Sequence, residues 1–199
     1  PVLSSAASDV YKRQVLRECH ELGKELIVES RCEQLTEEKL SWATSINPSF
    51  TVAIGLEAYD DEVLRFHVNK GFTTKSWDRA VENLRKFNLR IKTYLMFKPP
   101  FMSEKDALDH GVRWIKDVAG RSDEISVNPM NIQRGTVIDR LHRHNEYRPP
   151  WLWSLVEMIK QAHPHIYPDG GVNGSPDQVC RLIVHPTAGG KIPVSYTHL

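Results

Sequence analysis

Five compact apolar runs, separated by segments with helical periodicity and short links, constrain this chain more than any other feature. Glu25–Glu29 (ELIVE), Thr51–Glu57 (TVAIGLE), Arg90–Phe97 (RIKTYLMF), Glu124–Asn128 and Gln178–Val184 read as strands. Helices are expected between them. Val15–Gly23 ends at a glycine suited to the C′ position, and Leu35–Ile46 starts behind Thr36, a candidate N-cap. A short helix is expected from Asp60, then a turn at Asn69-Lys70-Gly71. The next helix carries Trp77, Ala80, Val81, Leu84 and Phe87 at helical spacing. Ser103-x-x-Asp106 opens another, with Ala107, Gly111, Trp114, Ile115 and Val118 as its apolar stripe. Arg134–Tyr147 reads as polar and irregular, and Pro149-Pro150 lead into a helix from Trp151 to about His163.

Strand–helix–strand alternation with short links implies parallel strands covered by helices. The expected fold is α/β: a partial (β/α) TIM-type barrel with parallel strands. A complete eight-unit barrel takes about 250 residues, and four to five units are legible here. A doubly wound open sheet shares the alternation and is the structural alternative.

The charge balance, 26 Lys and Arg against 25 Asp and Glu, neither implies nor excludes a nucleic-acid partner, since local patches act independently of the total. No run approaches the roughly 18 apolar residues that cross a bilayer, so no membrane partner is expected. Three cysteines, odd in number and widely spaced, make a disulfide framework unexpected and a cytoplasmic location the expectation. Residues 1–14 (PVLSSAASDVYKRQ) and 193–199 (PVSYTHL) resemble translated sequencing-adapter DNA and are expected to be non-native tails. Residues 15–165 then form the partial barrel, and 166–192 the start of a C-terminal extension.

Function in such barrels collects at the carboxyl ends of the strands. Here those ends carry Glu29, Arg31, Glu57, Lys98 and Asn128. Alternation puts Thr51, Ala53, Gly55 and Glu57 on one face of their strand, and Lys92, Tyr94, Met96 and Lys98 on one face of the next; Ser126 and Asn128 share a face. A polar inner face is costly unless it lines a site or is internally paired. A carboxylate, an amide and a basic residue on neighbouring strand tops suit a ribose, an amino acid or a phosphate equally.

The stretch 54–100 contains Gly55-Leu56-Glu57, Asp61-Glu62-Val63-Leu64 and Asn69-Lys70-Gly71 in that order, preceded by Glu29-Ser30-Arg31. This combination resembles radical S-adenosylmethionine (SAM) enzymes, especially their elongator- and methylthiotransferase-like branch. SVNPMNIQRGT (126–136), RPPWLW (148–153) and PTAGGK (186–191) resemble, more narrowly, the family of radical-SAM subunits of archaeosine synthases.

The resemblance implies a 4Fe–4S cluster that reduces S-adenosylmethionine to methionine and a 5′-deoxyadenosyl radical, which abstracts hydrogen from substrate. For archaeosine formation the substrate is a lysine adduct on a deazaguanine base of tRNA, and a second synthase subunit is an expected partner. It further implies that Glu57 and Gly55 meet the ribose or amino-acid part of the cosubstrate. Glu29 and Arg31 would help bind the cosubstrate or position its carboxylate, and Tyr94, Met96 and Asn128 would line the pocket around adenine or substrate. The family's cluster loop needs three closely spaced thiolates, and Cys19, Cys32 and Cys180 are too scattered to form it. The chain is therefore expected to be a catalytically incomplete piece, with no metal ligands of its own and no assigned catalytic residue.

Weaker signals divide between bland and functional readings. His142-x-His144 and His163-x-His165 lack a third ligand and read as solvated loop histidines. The segment Arg140–Arg148 is basic and aromatic-containing, and could meet RNA phosphates. Two rivals stay open: a conventional barrel lyase or isomerase, for which Lys98 is the one candidate Schiff-base lysine, and a non-catalytic binding module derived from a radical-SAM barrel.

Overall fold

The computed structural model describes residues 2–4 and 9–186, with side chains from residue 9 onward. Its six strands are β1 (Val2–Ser4), β2 (Ile27–Ser30), β3 (Thr51–Glu57), β4 (Arg90–Phe97), β5 (Glu124–Pro129) and β6 (Arg181–Val184). Helices α1 (Asp9–Glu21), α2 (Glu37–Thr44), α3 (Asp61–Val63), α4 (Thr74–Lys86), α5 (Glu104–Ala119), α6 (Val137–Arg143) and α7 (Leu152–Ile166) fall between them, and a π-helical turn, Leu64–Val68, continues α3.

The strands form one sheet in chain order, β1-β2-β3-β4-β5-β6, and every neighbouring pair is parallel. A doubly wound sheet reverses its order at a switch point and buries both faces. Neither holds here. On β4, Ile91, Thr93, Leu95 and Phe97 are buried, whereas Lys92, Tyr94 and Met96 on the other face remain partly exposed. Helices therefore cover one face only, as on the arc of a barrel wall.

The covered face holds the core. Val52, Ile54 and Leu56 of β3 and Ile125 and Val127 of β5 pack with the α4 stripe Trp77, Ala80, Val81, Leu84 and the α5 stripe Ala107, Trp114, Ile115, Val118. Fully burying one such large side chain stabilises by roughly 1.5–3 kcal/mol. Gly111 lies in the α5 stripe because a Cβ there would stand 3.0 Å from the Met158 sulfur of α7 and 3.2 Å from the Phe97 ring.

Helix starts follow their caps. Thr36, Ser103 and Thr136 each accept a backbone N–H from the third residue on, and Asp60 accepts from Glu62 and Val63. The structure departs from the sequence expectation in three places. Helix α1, expected from Val15, reaches back to Asp9, and Val2–Ser4 pairs with β2. Helix α6 occupies the segment expected to be irregular; with Ile138 its only buried residue, it has no periodic stripe to reveal it. The strand expected over Gln178–Val184 shortens to Arg181–Val184 and joins the barrel sheet, within the stretch assigned to an extension. Residues 193–199, and PTAGGK beyond Pro186, lie outside the described residues.

Candidate functional site

Three of the four motifs in the first half of the chain, those at Arg31, Gly55–Glu57 and Lys70, converge at the tops of β2 and β3. Lys70 Nζ donates to Glu57 Oε1 at 2.8 Å, and Arg31 Nη2 donates to the Lys70 carbonyl at 3.2 Å. Gly55 makes room for them: a Cβ there would stand 2.9 Å from Glu57 Oε1 and 3.1 Å from Lys70 Nζ.

The local backbone is specialised to match. Glu57 takes a left-handed conformation (φ 72°), uncommon for a non-glycine residue and more frequent at functional sites. The β3–β4 register slips between Gly55 and Glu57, so Leu56 is an extra residue whose side chain stays in the core. Such bulges re-aim side chains at barrel rims. The π-helical turn before Lys70 closes on left-handed Asn69, and the Lys70 N–H donates to the Leu64 carbonyl at 2.9 Å. Phe72 lies under both cations, 5.8 Å from the Arg31 guanidinium and 5.7 Å from Lys70 Nζ.

The remaining expected residues sit across the open face in register. Glu29, Ala53, Lys92, Glu124 and Arg181 are lateral partners on successive strands, as are Gly55, Tyr94 and Ser126, and then Met96 and Asn128. In the lower row Glu124 pairs with both Lys92 and Arg181, so the charges there are largely satisfied by one another. Tyr94 Oη donates to Glu29 Oε1 at 3.4 Å; burial, reinforced by the Glu29 charge, pushes its phenol above the ordinary range. One row higher, His185 Nε2 lies 3.0 Å from Ser126 Oγ, and burial together with Lys92 lowers the imidazole pKa, with Glu124 opposing.

The seven expected site residues thus form three groups: Arg31 with Gly55 and Glu57, Glu29 with Tyr94, and Met96 beside Asn128. The Asn128 amide has no hydrogen-bond partner among the described residues. Sequence reading missed Lys70 and the Ser126–His185 pair. Lys70 lay inside a motif already noted, and strand parity placed Ser126 on the inner face.

Lys98 does not share that face. It has a left-handed backbone beyond the end of β4 and is 7% exposed, and its Nζ donates to Glu104 Oε2 at 2.6 Å and to the Arg148 carbonyl at 2.9 Å. An ion-paired ammonium held by two acceptors is unsuited to a Schiff base, which needs a neutral amine. His142 and His163 contact backbone carbonyls of Tyr147 and Gly171, and no cluster of metal-ligating side chains occurs among the described residues. A cavity of about 410 Å³ is bounded by α1, α2 and the helix-facing Val28 and Val52, and none of Arg31, Glu57 and Lys70 lines it.

No protein-family model matches the chain. Among curated proteins it is 41% identical over 146 residues to archaeosine synthase subunit beta of Methanosarcina acetivorans, covering 71% of this chain and 42% of that protein. The chain is a homologue of archaeosine synthase beta subunits. The Thermococcus kodakarensis subunit beta is 40% identical over 138 residues, covering 68% of this chain and 43% of its own length. The chain thus spans less than half of the beta subunits it matches. Solved structures agree on the fold. Elp3 of Methanocaldococcus infernus with an N-terminal deletion superposes with a TM-score of 0.63 at 17% identity, over 77% of this chain and 40% of that one. Coproporphyrinogen III oxidase (HemN) of Escherichia coli, a radical SAM enzyme, superposes with a TM-score of 0.51 at 15% identity, over 84% and 39%. The strand arc seen here is thus the barrel wall of that fold, and the beta-subunit likeness extends over most of it.

Proposed function

We propose that this chain forms the cosubstrate-facing wall of a radical-SAM enzyme that modifies tRNA, making archaeosine from a lysine adduct of a deazaguanine base. The observation that supports it is the convergence of Arg31, Lys70, Glu57 and Gly55 on adjacent strand tops, facing an open, half-polar wall.

The donor set suits S-adenosylmethionine. Glu57 Oε2 accepts no bond within the described residues and can take ribose hydroxyls or an ammonium. Arg31 and Lys70 offer positive charge to a carboxylate, and the Asn128 amide, Tyr94 and Met96 offer an amide, a phenol and a thioether for the adenine or the substrate. When bound, the cosubstrate supplies the hydrogen-abstracting chemistry.

The iron–sulfur cluster does not fit this chain. Cys19, Cys32 and Cys180 are buried on different elements, and burial pushes the Cys32 and Cys180 thiols up to about 12, far from the thiolates that hold such a cluster. Its ligands would come from elsewhere in the enzyme, and the described chain alone would not cleave the cosubstrate. The beta-subunit names of its relatives support a second synthase subunit as partner. Among the described residues no helix is long and apolar enough to cross a membrane, and we place the protein in the cytoplasm.

Equilibrium dialysis of radiolabelled S-adenosylmethionine against the chain tests this reading. Saturable binding, weakened at least about tenfold in Glu57→Gln by loss of one charge-assisted bond, supports it. A folded chain, confirmed by circular dichroism, that binds none would sink it.

A further inference from the structure

The segment above β5, from Arg134 to Trp153, takes no part in the strand-top site and carries a local excess of positive charge. It holds four arginines, Arg134, Arg140, Arg143 and Arg148, against two carboxylates, Asp139 and Glu146. Asp139 is already used: it pairs with Arg143 at 2.7 Å and accepts the Gly135 N–H. Arg134, Arg140 and Arg148 are exposed and form no ion pair among the described residues. Three such guanidiniums in one segment leave a local positive field.

Aromatic surface accompanies it. Trp151 is 61% exposed and Trp153 81%, whereas Trp77 and Trp114 lie in the core and Trp42 packs partly buried against it. Burial of a large indole is the ordinary outcome, so two adjacent exposed ones ask for a partner.

The segment is also held rigidly to the barrel. The Arg148 carbonyl accepts from Lys98 Nζ, Tyr147 Oη donates to the Lys98 carbonyl at 2.8 Å, and the Trp151 N–H donates to Glu104 Oε1 at 2.9 Å. The buried Lys98–Glu104 pair thereby fixes Arg148 and Trp151 at the strand-top end of the barrel, where a substrate approaches.

We propose that Arg134–Trp153 is an RNA-binding surface, on which Arg134, Arg140 and Arg148 take phosphates and Trp151 and Trp153 stack unpaired bases. Unpaired guanidiniums followed along one segment by exposed indoles match single-stranded or looped RNA, whose bases are free to stack. An apolar cleft of about 310 Å³ between α7 and β6 starts at Leu152, inside this segment, and runs over Leu155, Val156 and Ile159 to Leu182 and Val184; Arg134, Arg140 and Arg148 are not part of its lining, and their charge favours a polyanion over an apolar protein surface. The inference rests on the tRNA reading above and names where on this chain the RNA is held.

Fluorescence anisotropy of a labelled, unmodified archaeal tRNA transcript, titrated with the whole chain at about 50 to 200 mM salt, tests it. The triple variant Arg134→Ala, Arg140→Ala, Arg148→Ala is expected to bind at least tenfold more weakly at low salt. Its log-affinity against log-salt slope should fall by roughly two to three, one phosphate contact accounting for about 0.7–0.9. Trp153→Ala should weaken binding roughly tenfold with no change of slope. Arg140→Lys, which keeps the charge, should keep the slope, and all variants should retain S-adenosylmethionine binding. A wild-type chain that binds no RNA overturns both the tRNA reading and this surface. A wild-type chain that binds, with variants of unchanged affinity and slope, overturns the surface alone. Variants that keep RNA affinity but lose the second synthase subunit assign the surface to a protein and overturn the inference.

Discussion

Gly55 and Glu57 exclude one another's alternatives: a single methyl on Gly55 would stand 2.9 Å from Glu57 Oε1. The obstruction involves only the far ends of Glu57 and of Lys70, both flexible, and the Gly55 backbone is not left-handed. Gly55→Ala is therefore expected to cost at most about 1 kcal/mol of stability, the low end of overpacking. It should nonetheless displace the carboxylate and weaken cosubstrate binding about tenfold. Urea melts read beside dialysis check this; equal losses in both would refer the effect to folding.

A second prediction concerns the hydroxyl pair beneath the sheet. Thr93 Oγ1 and Ser122 Oγ lie 2.7 Å apart, both buried. Thr93→Val leaves the Ser122 hydroxyl without its partner and is expected to cost about 1–3 kcal/mol. Adding Ser122→Ala should recover much of that loss. A double variant less stable than either single one would contradict the account.

Acid sensitivity should trace to Glu104. Burial pushes its carboxyl upward, but hydrogen bonds from Lys98, Ser154 and the Trp151 N–H outweigh this, and the net shift is below the ordinary value of 4.5. A carboxylate with a lowered folded pKa contributes stability that is complete above its unfolded pKa. That contribution is lost as pH falls through the folded pKa. Wild-type stability should thus decline more steeply below about pH 4.5 than that of Glu104→Gln. Denaturant midpoints across pH 3 to 6 read this directly, and parallel curves would rule it out.

Thiol chemistry offers a fourth check. With burial holding Cys32 and Cys180 at about 12, neither supplies appreciable thiolate at neutral pH. Both should resist Ellman's reagent in the native chain and react promptly in guanidinium. Fast native labelling at either position, located by mass spectrometry, would show that the surrounding core opens readily.

Much of this arrangement was legible in the sequence because it depends on period and spacing. The bounds of β3 and β4 follow from apolar runs closed by turn residues, and the α4 and α5 stripes from the recurrence of Trp77 to Leu84 and Ala107 to Val118. Strand parity put Tyr94, Met96 and Asn128 on the open face. The sequence could not place Lys98: its left-handed backbone turns it out of the alternation toward Glu104, and parity holds only while the strand continues. Lys70 escaped for a related reason, since its link to Glu57 spans a π-helical turn that no periodicity describes. Helix α6 escaped because one buried residue makes no stripe.

Because strand order equals chain order, each strand pairs with the one made just before it. No strand of the described sheet waits for a distant partner, and each β–α unit closes a loop of modest length, so the entropy lost in bringing its ends together stays small. The wall can be laid down progressively as the chain leaves the ribosome. Arg31, Glu57 and Lys70 all precede β4, so the cationic corner can form once the first half of the chain has emerged and β4 has docked against β3. The Arg134–Trp153 surface follows later. The order of synthesis is then also the order in which the two halves of the binding face become available.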